Sequence, residues 1–362
     1  MQYSAKEKTL ILFDSIGLDY TKKAAVFKDA GGTLSYIPDR ERLILSTACL
    51  VGEKESERLK EVFKEKNSEE IFSSYEKKKI GCVTVFSEDY PELLSEIPNP
   101  PFVLYCRGNI SLLRDRKFAV VGSRRTLPQI LKLTEKYASD LAEYFTIVTG
   151  LADGGDTAAI KGGLESGKLI SVLAYGFDFV YPECNRHLLE KITEKGLAIS
   201  EYIPSASPQK HMFPFRNRII AGLSEGVFVV SGGTKSGTKI TAKYAYEYGR
   251  DVFAFPYTPG IVSGEGCNAI IKEYAKLTDN LVDITSAFGI NLTEKEEITL
   301  SAAEKAVYFC LREGEKHLSE ISEKTGIVSY ELMPVLTLLE IKKLIVRCGG
   351  NRYCAVVFSN EE

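Results

Sequence analysis

Between residues 80 and 290, short apolar runs alternate with longer segments whose apolar positions recur at helical spacing. Several runs are almost free of polar residues, which is typical of strands buried on both faces of a parallel sheet. Alternation of such strands with helices predicts a doubly wound α/β domain. The strands are predicted at 118–121, 146–149, 169–174, 198–199, 227–230 and 252–255, with helices at 130–144, 158–166, 186–195 and 241–248.

The segments before and after this region have different patterns of apolar and polar residues. Residues 1–75 carry apolar segments punctuated by glycines, and they predict a small helical N-terminal domain, a satellite of the sheet. The Glu- and Lys-rich stretch 52–79 predicts a solvated helix followed by a linker. Residues 294–362 predict three helices and a hairpin around Gly349 and Gly350, and Ser301 with Glu304 forms a capping-box start. This order predicts a C-terminal winged helix.

Composition bounds the class of protein. The 362 residues suit two or three domains, and 46 Lys and Arg stand against 49 Asp and Glu. A net charge of −3 excludes a protein covered in positive charge, although a local basic cleft remains possible. The eight cysteines include no Cys-x-x-Cys pair and there are three histidines, so we expect no zinc site, no disulfide framework and no cofactor. The N-terminal apolar run is too short for a signal peptide and nothing approaches a membrane span, which predicts a cytoplasmic protein.

Glycine-rich loops follow several predicted strands, where open α/β sheets bind their ligands. Gly122, Ser123 and Arg124 combine close backbone approach, a hydroxyl and a charge suited to phosphate. In the loop 150–156, Asp156 is interpreted as a cap of the next helix. The loop 231–238, with Ser236 and Gly237, precedes a helix and predicts an anion cradle. A fourth loop, 264–268, ends at Asn268.

The segment 202–218 contains no acidic residue but does contain Lys210, Arg216 and Arg218. Arginine stays charged at any physiological pH, so we expect a site built from these residues to bind an anion. Aromatic residues, among them Phe213, interleave with the cations, as in proteins that hold single-stranded nucleic acid. The alternative is that the arginines flanking Asn217 pack on neighbouring carboxylates at the start of a helix, and the segment alone leaves both interpretations open.

The sequence offers no convincing acid/base pair for catalysis, so no catalytic residue is assigned. The order of motifs, however, resembles that of the DNA-processing protein A (DprA/Smf) family, strongly over residues 80–285. The motifs are Tyr-Pro at 90–91, Val-Gly-Ser-Arg at 121–124, Thr-Gly-Leu-Ala at 149–152, Gly-Gly-Asp at 154–156, Tyr-Pro at 181–182, Ile-Ser-Glu at 199–201 and Phe-Pro-Phe-Arg-Asn-Arg-Ile-Ile-Ala-Gly-Leu-Ser at 213–224.

The resemblance implies an extended Rossmann-like domain between a helical N-terminal domain and a winged helix. It also implies a non-enzymatic protein that binds and protects single-stranded DNA, loads the RecA recombinase in natural transformation or recombination, and forms a homodimer. In the family, the Gly-Ser-Arg loop and a Lys-x-x-Phe segment form the DNA pocket. The predicted DNA-binding residues are Gly122, Ser123, Arg124, Lys210, Phe213, Arg216, Asn217, Arg218, Ser236, Gly237 and Asn268.

Two other functions compete with this one. A nucleotide phosphoribohydrolase would carry Gly-Gly-x-Gly-Thr-x-x-Glu, which the loop 231–241 resembles, but Thr241 stands where the catalytic glutamate belongs. A Rossmann-like protein that binds a nucleotide without processing it is also open. In the predicted winged helix, residues 294–362 hold nine Lys and Arg against twelve Asp and Glu, and 329–340 lack cations. We therefore expect this unit to bind protein rather than DNA, using Leu332, Val335, Leu336 and Leu339 for packing.

Overall fold

The computed structural model describes residues 3–290, 300–342 and 344–356. Its first part is helical, and Ser4, Asp19 and Asp39 each cap a helix N-terminus through a side-chain oxygen. The segment predicted as a helix followed by a linker forms two consecutive helices, so the linker prediction is wrong. The helices are α1 Ala5–Ser15, α2 Tyr20–Asp29, α3 Arg40–Leu50, α4 Glu53–Phe63 and α5 Glu65–Lys77.

A nine-stranded sheet follows. Its strands are β1 Gly81–Thr84, β2 Val103–Gly108, β3 Lys117–Val121, β4 Thr146–Thr149, β5 Leu169–Leu173, β6 Leu197–Ser200, β7 Gly226–Val229, β8 Asp251–Ala254 and β9 Lys276–Leu277. They lie in the order β1-β2-β6-β5-β4-β3-β7-β8-β9. The pairs β1–β2 and β2–β6 are antiparallel and the other neighbours are parallel. The predicted α/β class and its six strands are confirmed.

Helices connect these strands and cover both faces of the sheet. They are α6 Glu92–Ser95, α7 Pro128–Leu141, α8 Gly155–Glu165, α9 Arg186–Lys195, α10 Met212–Leu223, α11 Gly237–Glu247, α12 Glu265–Glu273 and α13 Val282–Ala287. Along β3, Phe118 and Val120 enter one apolar cluster and Ala119 and Val121 the other, as the two-residue period of a strand requires. No helix of the described ranges is long and apolar enough to cross a membrane.

The order of the sheet defines a topological switch point between β3 and β7. From β3 the chain builds outward through β4 and β5 on one side, then returns and continues through β7 and β8 on the other. The loops at the carboxyl ends of β3 and β7 therefore leave the sheet side by side. Open α/β sheets bind ligands in the crevice between two such loops.

The N-terminal helices share their hydrophobic core with the sheet. Leu10 and Phe13 of α1 and Val26 of α2 belong to the same buried cluster as Tyr105 of β2 and Phe118 of β3. The predicted satellite position is therefore wrong, because the helices and the sheet bury apolar residues in one cluster.

A buried polar cluster lies inside that shared core. The hydroxyl of Tyr105 donates to Oδ2 of Asp14 at 2.8 Å, and the ammonium of Lys23 donates to Oδ1 of the same carboxylate. Burial raises the pKa of Tyr105 well above its usual range, so the phenol remains a donor to Asp14. The cluster ties α1, α2 and β2 together at one carboxylate.

The described C-terminal residues contain α14 Ala302–Arg312, β10 Lys316–His317, α15 Leu318–Thr325, α16 Ser329–Ile341, β11 Ile345–Gly349 and β12 Arg352–Ala355. Ser301 and Glu304 form the predicted capping box. The strands form a separate sheet in the order β10-β12-β11. The helices and hairpin follow the predicted order, while the winged-helix assignment and the domain boundaries stay predictions. Residues 294–299, 343 and 357–362 of that predicted unit lie outside the described residues.

Lys117 at the start of β3 gives a prediction about stability and pH. Its ammonium donates to the carbonyls of Leu113, at 2.7 Å, and Asp115, at 2.5 Å. Burial lowers the pKa of Lys117 to about 8, although the Asp115 and Glu225 carboxylates act in the opposite direction. Between about pH 8 and its unfolded pKa the unfolded chain holds more protons at this site, so its contribution to stability rises with pH, by at most about 1.4 kcal/mol per pH unit.

We expect the free energy of unfolding of Lys117→Met, relative to the unchanged chain, to fall as the pH increases from 7.5 to 9.5. Urea unfolding of both proteins at the two pH values measures the difference. A constant difference would contradict the lowered pKa.

Candidate nucleic-acid interface

The loops at the switch point are joined by hydrogen bonds. The backbone N–H of Ser123, after β3, donates to Oγ of Ser231 at 2.9 Å and to its carbonyl oxygen at 3.1 Å. The hydroxyl of Thr126 lies 2.5 Å from the same Ser231 Oγ. Ser231 lies just after β7, so it fixes the conformation of the Gly-Ser-Arg loop from the neighbouring strand.

The loop after β4 approaches Gly122 at backbone distance. A Cβ placed on Gly122 would lie 2.6 Å from Cα of Gly155, so a side chain there would push the two loops apart. The N–H groups of Gly122 and Ala152 donate to the two carboxylate oxygens of Asp156 at 3.3 and 3.4 Å. The interpretation of Asp156 as a helix cap is wrong, because Gly154 is the N-cap of α8. Asp156 instead ties two loops together.

Arg218 is a buried structural residue, which corrects its assignment to the DNA site. Its side chain is 1% exposed, and its guanidinium forms two hydrogen bonds with the Glu201 carboxylate, at 2.8 and 2.6 Å. The guanidinium also lies over the ring of Phe215, 3.9 Å from its centroid. Glu201 stands directly before the acid-free segment 202–218. The carboxylate that pairs with Arg218 therefore comes from the position next to that segment.

Arg216 is likewise buried, and its assignment to the DNA site is corrected too. Its guanidinium donates to the carbonyl of Val172 in β5 and to the Asn217 side-chain oxygen. Burial lowers the pKa of Arg216, and the Asp156 carboxylate opposes that shift. Burial raises the pKa of Asp156, with Arg216 as the main opposing influence. A Cβ on Gly150 would meet both side chains, at 2.5 Å for Asp156 and 2.8 Å for Arg216.

Three other predicted residues use their side chains within the protein. Asn217 donates to the carbonyl of Gly237 at 3.2 Å. Ser236 caps α11 by accepting the N–H of Thr238 at 3.3 Å. Asn268 holds the backbone of Tyr257, with distances of 2.9 Å to its nitrogen and 2.7 Å to its oxygen. These side chains therefore support loops within the protein, and their role as DNA ligands stays a prediction.

Gly237 is exposed and is the first residue of α11, directly after the N-cap Ser236. It stays a prediction as a DNA contact.

The remaining predicted residues, together with Tyr181, form a surface that we call the Arg124 face and define as Gly122, Ser123, Arg124, Tyr181, Lys210 and Phe213. Gly122 is buried beneath it, and Ser123 and Phe213 are half-buried. Arg124 and Lys210 are exposed. The Arg124 guanidinium lies 6.0 Å from the ring centroid of Tyr181. That ring packs edge-on against Phe213, with centroids 5.4 Å apart and an interplanar angle of 62°. Cationic groups and aromatic rings thus stand side by side at the carboxyl ends of β3 and β5.

Tyr181 is the residue that the sequence assignment missed. Its ring is 40% exposed, a large fraction for an aromatic side chain that contacts two site residues. The available signal was its position in the loop after β5, at the ligand-binding edge of the sheet. The Tyr181 carbonyl accepts a hydrogen bond from the hydroxyl of Tyr175 at 2.8 Å, which anchors the backbone that carries the ring.

A groove of about 1040 Å³ runs between the N-terminal helices and the loop after β6. Its lining mixes acidic and basic side chains, including Asp19, Glu55 and Arg58, and it also contains His211 and Phe215. This mixture lacks the single sign of charge that attracts a phosphate backbone. The Arg124 face is therefore the stronger anion site. Across the described ranges, no group of three or more His, Cys, Asp or Glu could hold a metal ion.

Comparison with known proteins gives consistent results. The family model described as DNA recombination-mediator protein A matches residues 81–289. The chain is 43% identical to DNA processing protein DprA of Streptococcus pneumoniae over 218 residues, which is 59% of this chain and 77% of that protein. It is 40% identical to Protein Smf of Synechocystis over 58% of this chain, and 38% identical to DNA processing protein DprA of Bacillus subtilis over 51%. These matches span only 54% and 64% of the two relatives' lengths.

Two solved structures are also similar. The X-ray structure of DNA processing protein A from Streptococcus pneumoniae superposes with a TM-score of 0.68 at 33% identity, covering 81% of this chain and all of that one. A structure of DNA processing protein A from Helicobacter pylori, described for its single-stranded DNA binding mode, gives a TM-score of 0.54 at 30% identity. It covers 58% of this chain and 95% of that one.

Proposed function

Because this chain belongs to the DNA recombination-mediator protein A family, we propose that it binds single-stranded DNA through the Arg124 face. The observation that carries the proposal is the assembly of an exposed guanidinium, a tyrosine ring and a phenylalanine ring on loops that follow β3, β5 and β6. The single-stranded DNA binding described for the Helicobacter pylori relative supports it.

In the proposed complex, the cations of the Arg124 face bind phosphates and its aromatic rings contact bases. Arg124 and Lys210 are exposed, and no acidic partner within the described ranges neutralises them, so both are available to phosphates. The rings of Phe213 and Tyr181 offer faces and edges for bases, and stacking of this kind tolerates any base. Gly122 is buried against Gly155 and supports the loop that carries Arg124. The combination predicts affinity for single strands with little base preference.

The test is a titration of labelled oligo-dT, compared with duplex DNA of equal length and with mononucleotides. We expect tight binding of the single strand, weaker binding of the duplex and no competition by mononucleotides. Equal affinity for duplex and single strand would overturn the proposal. Strong competition by a mononucleotide would favour the nucleotide-binding alternative.

We also propose, from the family, that the bound strand is protected and passed to the RecA recombinase in the cytoplasm. Nuclease digestion of coated DNA, and RecA filament formation on DNA covered by single-strand binding protein, measure the two activities. A homodimer is part of the same proposal. The edge strand β9 supports it, because its Leu277 is exposed. Light scattering of the purified chain determines the oligomeric state.

We expect no hydrolysis of nucleoside monophosphates. The loop 231–241 contains no carboxylate, and Thr241, where the phosphoribohydrolase pattern has glutamate, is buried. Without that charge the loop cannot stabilise the cationic sugar of a glycosidic cleavage. Chromatography of adenosine monophosphate after incubation with the protein detects free adenine. Adenine release that disappears when a residue of 231–241 is changed would support the phosphoribohydrolase hypothesis instead.

The C-terminal unit is proposed to contact protein rather than DNA. Of the four residues predicted to pack on a partner, the three leucines Leu332, Leu336 and Leu339 fill the unit's own core, which corrects that part of the prediction. Other apolar residues of α16 face outward instead, and Tyr330 and Ile341 are more than two-thirds exposed. The helix Ser329–Ile341 contains no Lys or Arg to position it on phosphates.

The exposed cations of the hairpin are Arg347 and Arg352. We expect the double variant Arg347→Ala/Arg352→Ala to bind single-stranded DNA as tightly as the unchanged chain, because its binding surface lies elsewhere. Fluorescence anisotropy at physiological salt measures this affinity. A loss as large as that caused by Arg124→Ala would make the hairpin a DNA-binding element.

A further inference from the structure

Two cysteines of the C-terminal hairpin lie in direct contact. The Sγ atoms of Cys348 on β11 and Cys354 on β12 are 3.0 Å apart. The pairing of the two strands shifts between Arg347 and Gly349, so Cys348 is the extra residue of a β-bulge. Val346 faces Cys354 across the ladder. The bulge and this register bring the two thiols to the same side of the hairpin.

This geometry is close to that of a disulfide. The bond is about 2.05 Å long, so the sulfur atoms need to approach by only about 1 Å. The backbone is already in place, because strand pairing holds Cys354 and the residues on either side of Cys348. Gly349, Gly350 and Asn351, which connect the strands, have the positive φ values of a tight turn. Little entropy of chain closure therefore remains to be lost when the bond forms.

We propose that Cys348 and Cys354 form a modification site, at which a peroxide oxidises the two thiols to a reversible disulfide. In the first step the Cys348 sulfur attacks one peroxide oxygen, the O–O bond breaks, a sulfenic acid forms on Cys348 and one water is released. In the second step the Cys354 sulfur attacks the Cys348 sulfur, the S–O bond breaks, and a second water is released. The thiols lose two electrons and two protons, and hydrogen peroxide is reduced to two waters.

The two thiols differ in access. Cys354 is buried, and burial raises the pKa of its thiol, so it stays protonated near neutral pH. Cys348 is only half-buried and is the thiol that dissolved peroxide reaches. This difference assigns the first step to Cys348 and the resolving step to Cys354. In a reducing compartment cellular thiols reopen the bond, so the oxidised form lasts only while peroxide persists.

This site is separate from the Arg124 face, and it neither requires nor tests DNA binding. It acts on the hairpin that carries the exposed Arg347 and Arg352 and joins β11 covalently to β12. The bond then links the bulge at Cys348 to β12 and restricts the motion of its backbone. We expect slower amide hydrogen exchange in the hairpin after oxidation.

The experiment uses the full chain, treated with hydrogen peroxide, blocked with an alkylating reagent under denaturing conditions and digested with trypsin. Cleavage after Arg347 and Arg352 places the cysteines on two separate peptides, 348–352 and 353–362. We expect these peptides to appear joined and two hydrogens lighter than their sum, with two of the eight thiols lost to alkylation. Dithiothreitol should restore both thiols.

The control variant is Cys184→Ser, which removes an exposed thiol elsewhere and should leave the joined peptides unchanged. Cys348→Ser should abolish them. The proposal is wrong if Cys348 oxidises only to sulfinic acid, or if peroxide joins Cys348 to another cysteine. It is equally wrong if both hairpin thiols stay alkylatable while Cys184 and the exposed Cys49 are oxidised.

Discussion

Replacing Glu201 with alanine will lower the free energy of unfolding by about 3–5 kcal/mol, because the change leaves the Arg218 guanidinium charged and without its partner in the interior. The Arg218 side chain is only 1% exposed, so solvent cannot take the place of the lost carboxylate. Urea unfolding followed by circular dichroism measures the change. The affinity of the remaining folded protein for single-stranded DNA should stay the same, since Arg218 does not reach the surface.

The control for this prediction is Glu225→Ala, which removes the partner of the half-exposed Arg116. The Arg116–Glu225 pair has equally short contacts, including one of 2.7 Å, but water can replace the lost carboxylate, so we expect a cost of about 0–1 kcal/mol. A double change, Glu201→Leu with Arg218→Met, should recover much of the lost stability because it leaves no buried charge. If Glu201→Ala costs no more than Glu225→Ala, the buried pair does not have the role assigned to it.

The second large effect concerns DNA. Arg124→Ala and Lys210→Ala should each weaken single-strand binding and reduce the salt dependence, by about 0.7 in the slope of log K against log salt for each lost phosphate contact. Phe213→Ala should lower the affinity by about 1–3 kcal/mol, the typical contribution of one stacked base, while the slope stays nearly the same. Titrations of oligo-dT at several salt concentrations separate the two classes of residue.

Arg114→Ala is the matched control for Arg124→Ala. Arg114 is exposed like Arg124, but it precedes β3 and forms an ion pair with Asp89, so it lies at the opposite end of the strand from the proposed site. It should change neither affinity nor slope. Identical slopes for the unchanged chain, Arg124→Ala and Lys210→Ala would remove the phosphate role from both residues.

The sheet could be predicted from the sequence because its signal is local. Each of the six predicted strands is a short apolar run, and those buried on both faces contain few polar positions that would interrupt the pattern. The capping box at Ser301 and Glu304 is local in the same sense, since both residues lie within one turn. The order of the strands was not predicted, because pairing of parallel strands depends on residues far apart in the chain.

The site was predicted less well, and the reason is again distance along the chain. Local composition showed the cations of 202–218 but could not show that Arg216 and Arg218 point inward, toward Asp156 and Glu201. The carboxylate of Glu201 lies one residue outside the segment, and that of Asp156 reaches Arg216 from another loop. Tyr181 was missed for the complementary reason: its neighbours Arg124 and Phe213 come together only when the sheet forms.

The core shared by the N-terminal helices and the sheet decides how this chain can be dissected. A cut near residue 80 would leave Tyr105 and Phe118 facing solvent where Leu10, Phe13 and Val26 had covered them. The shortened protein would carry a sticky apolar surface, and any loss of activity would report aggregation rather than the removal of a module. The C-terminal unit has an apolar cluster of its own, but its Val356 is also buried in the core shared by the N-terminal helices and the sheet. Genetic shuffling of pieces of this protein would therefore find no clean boundary between those helices and the sheet.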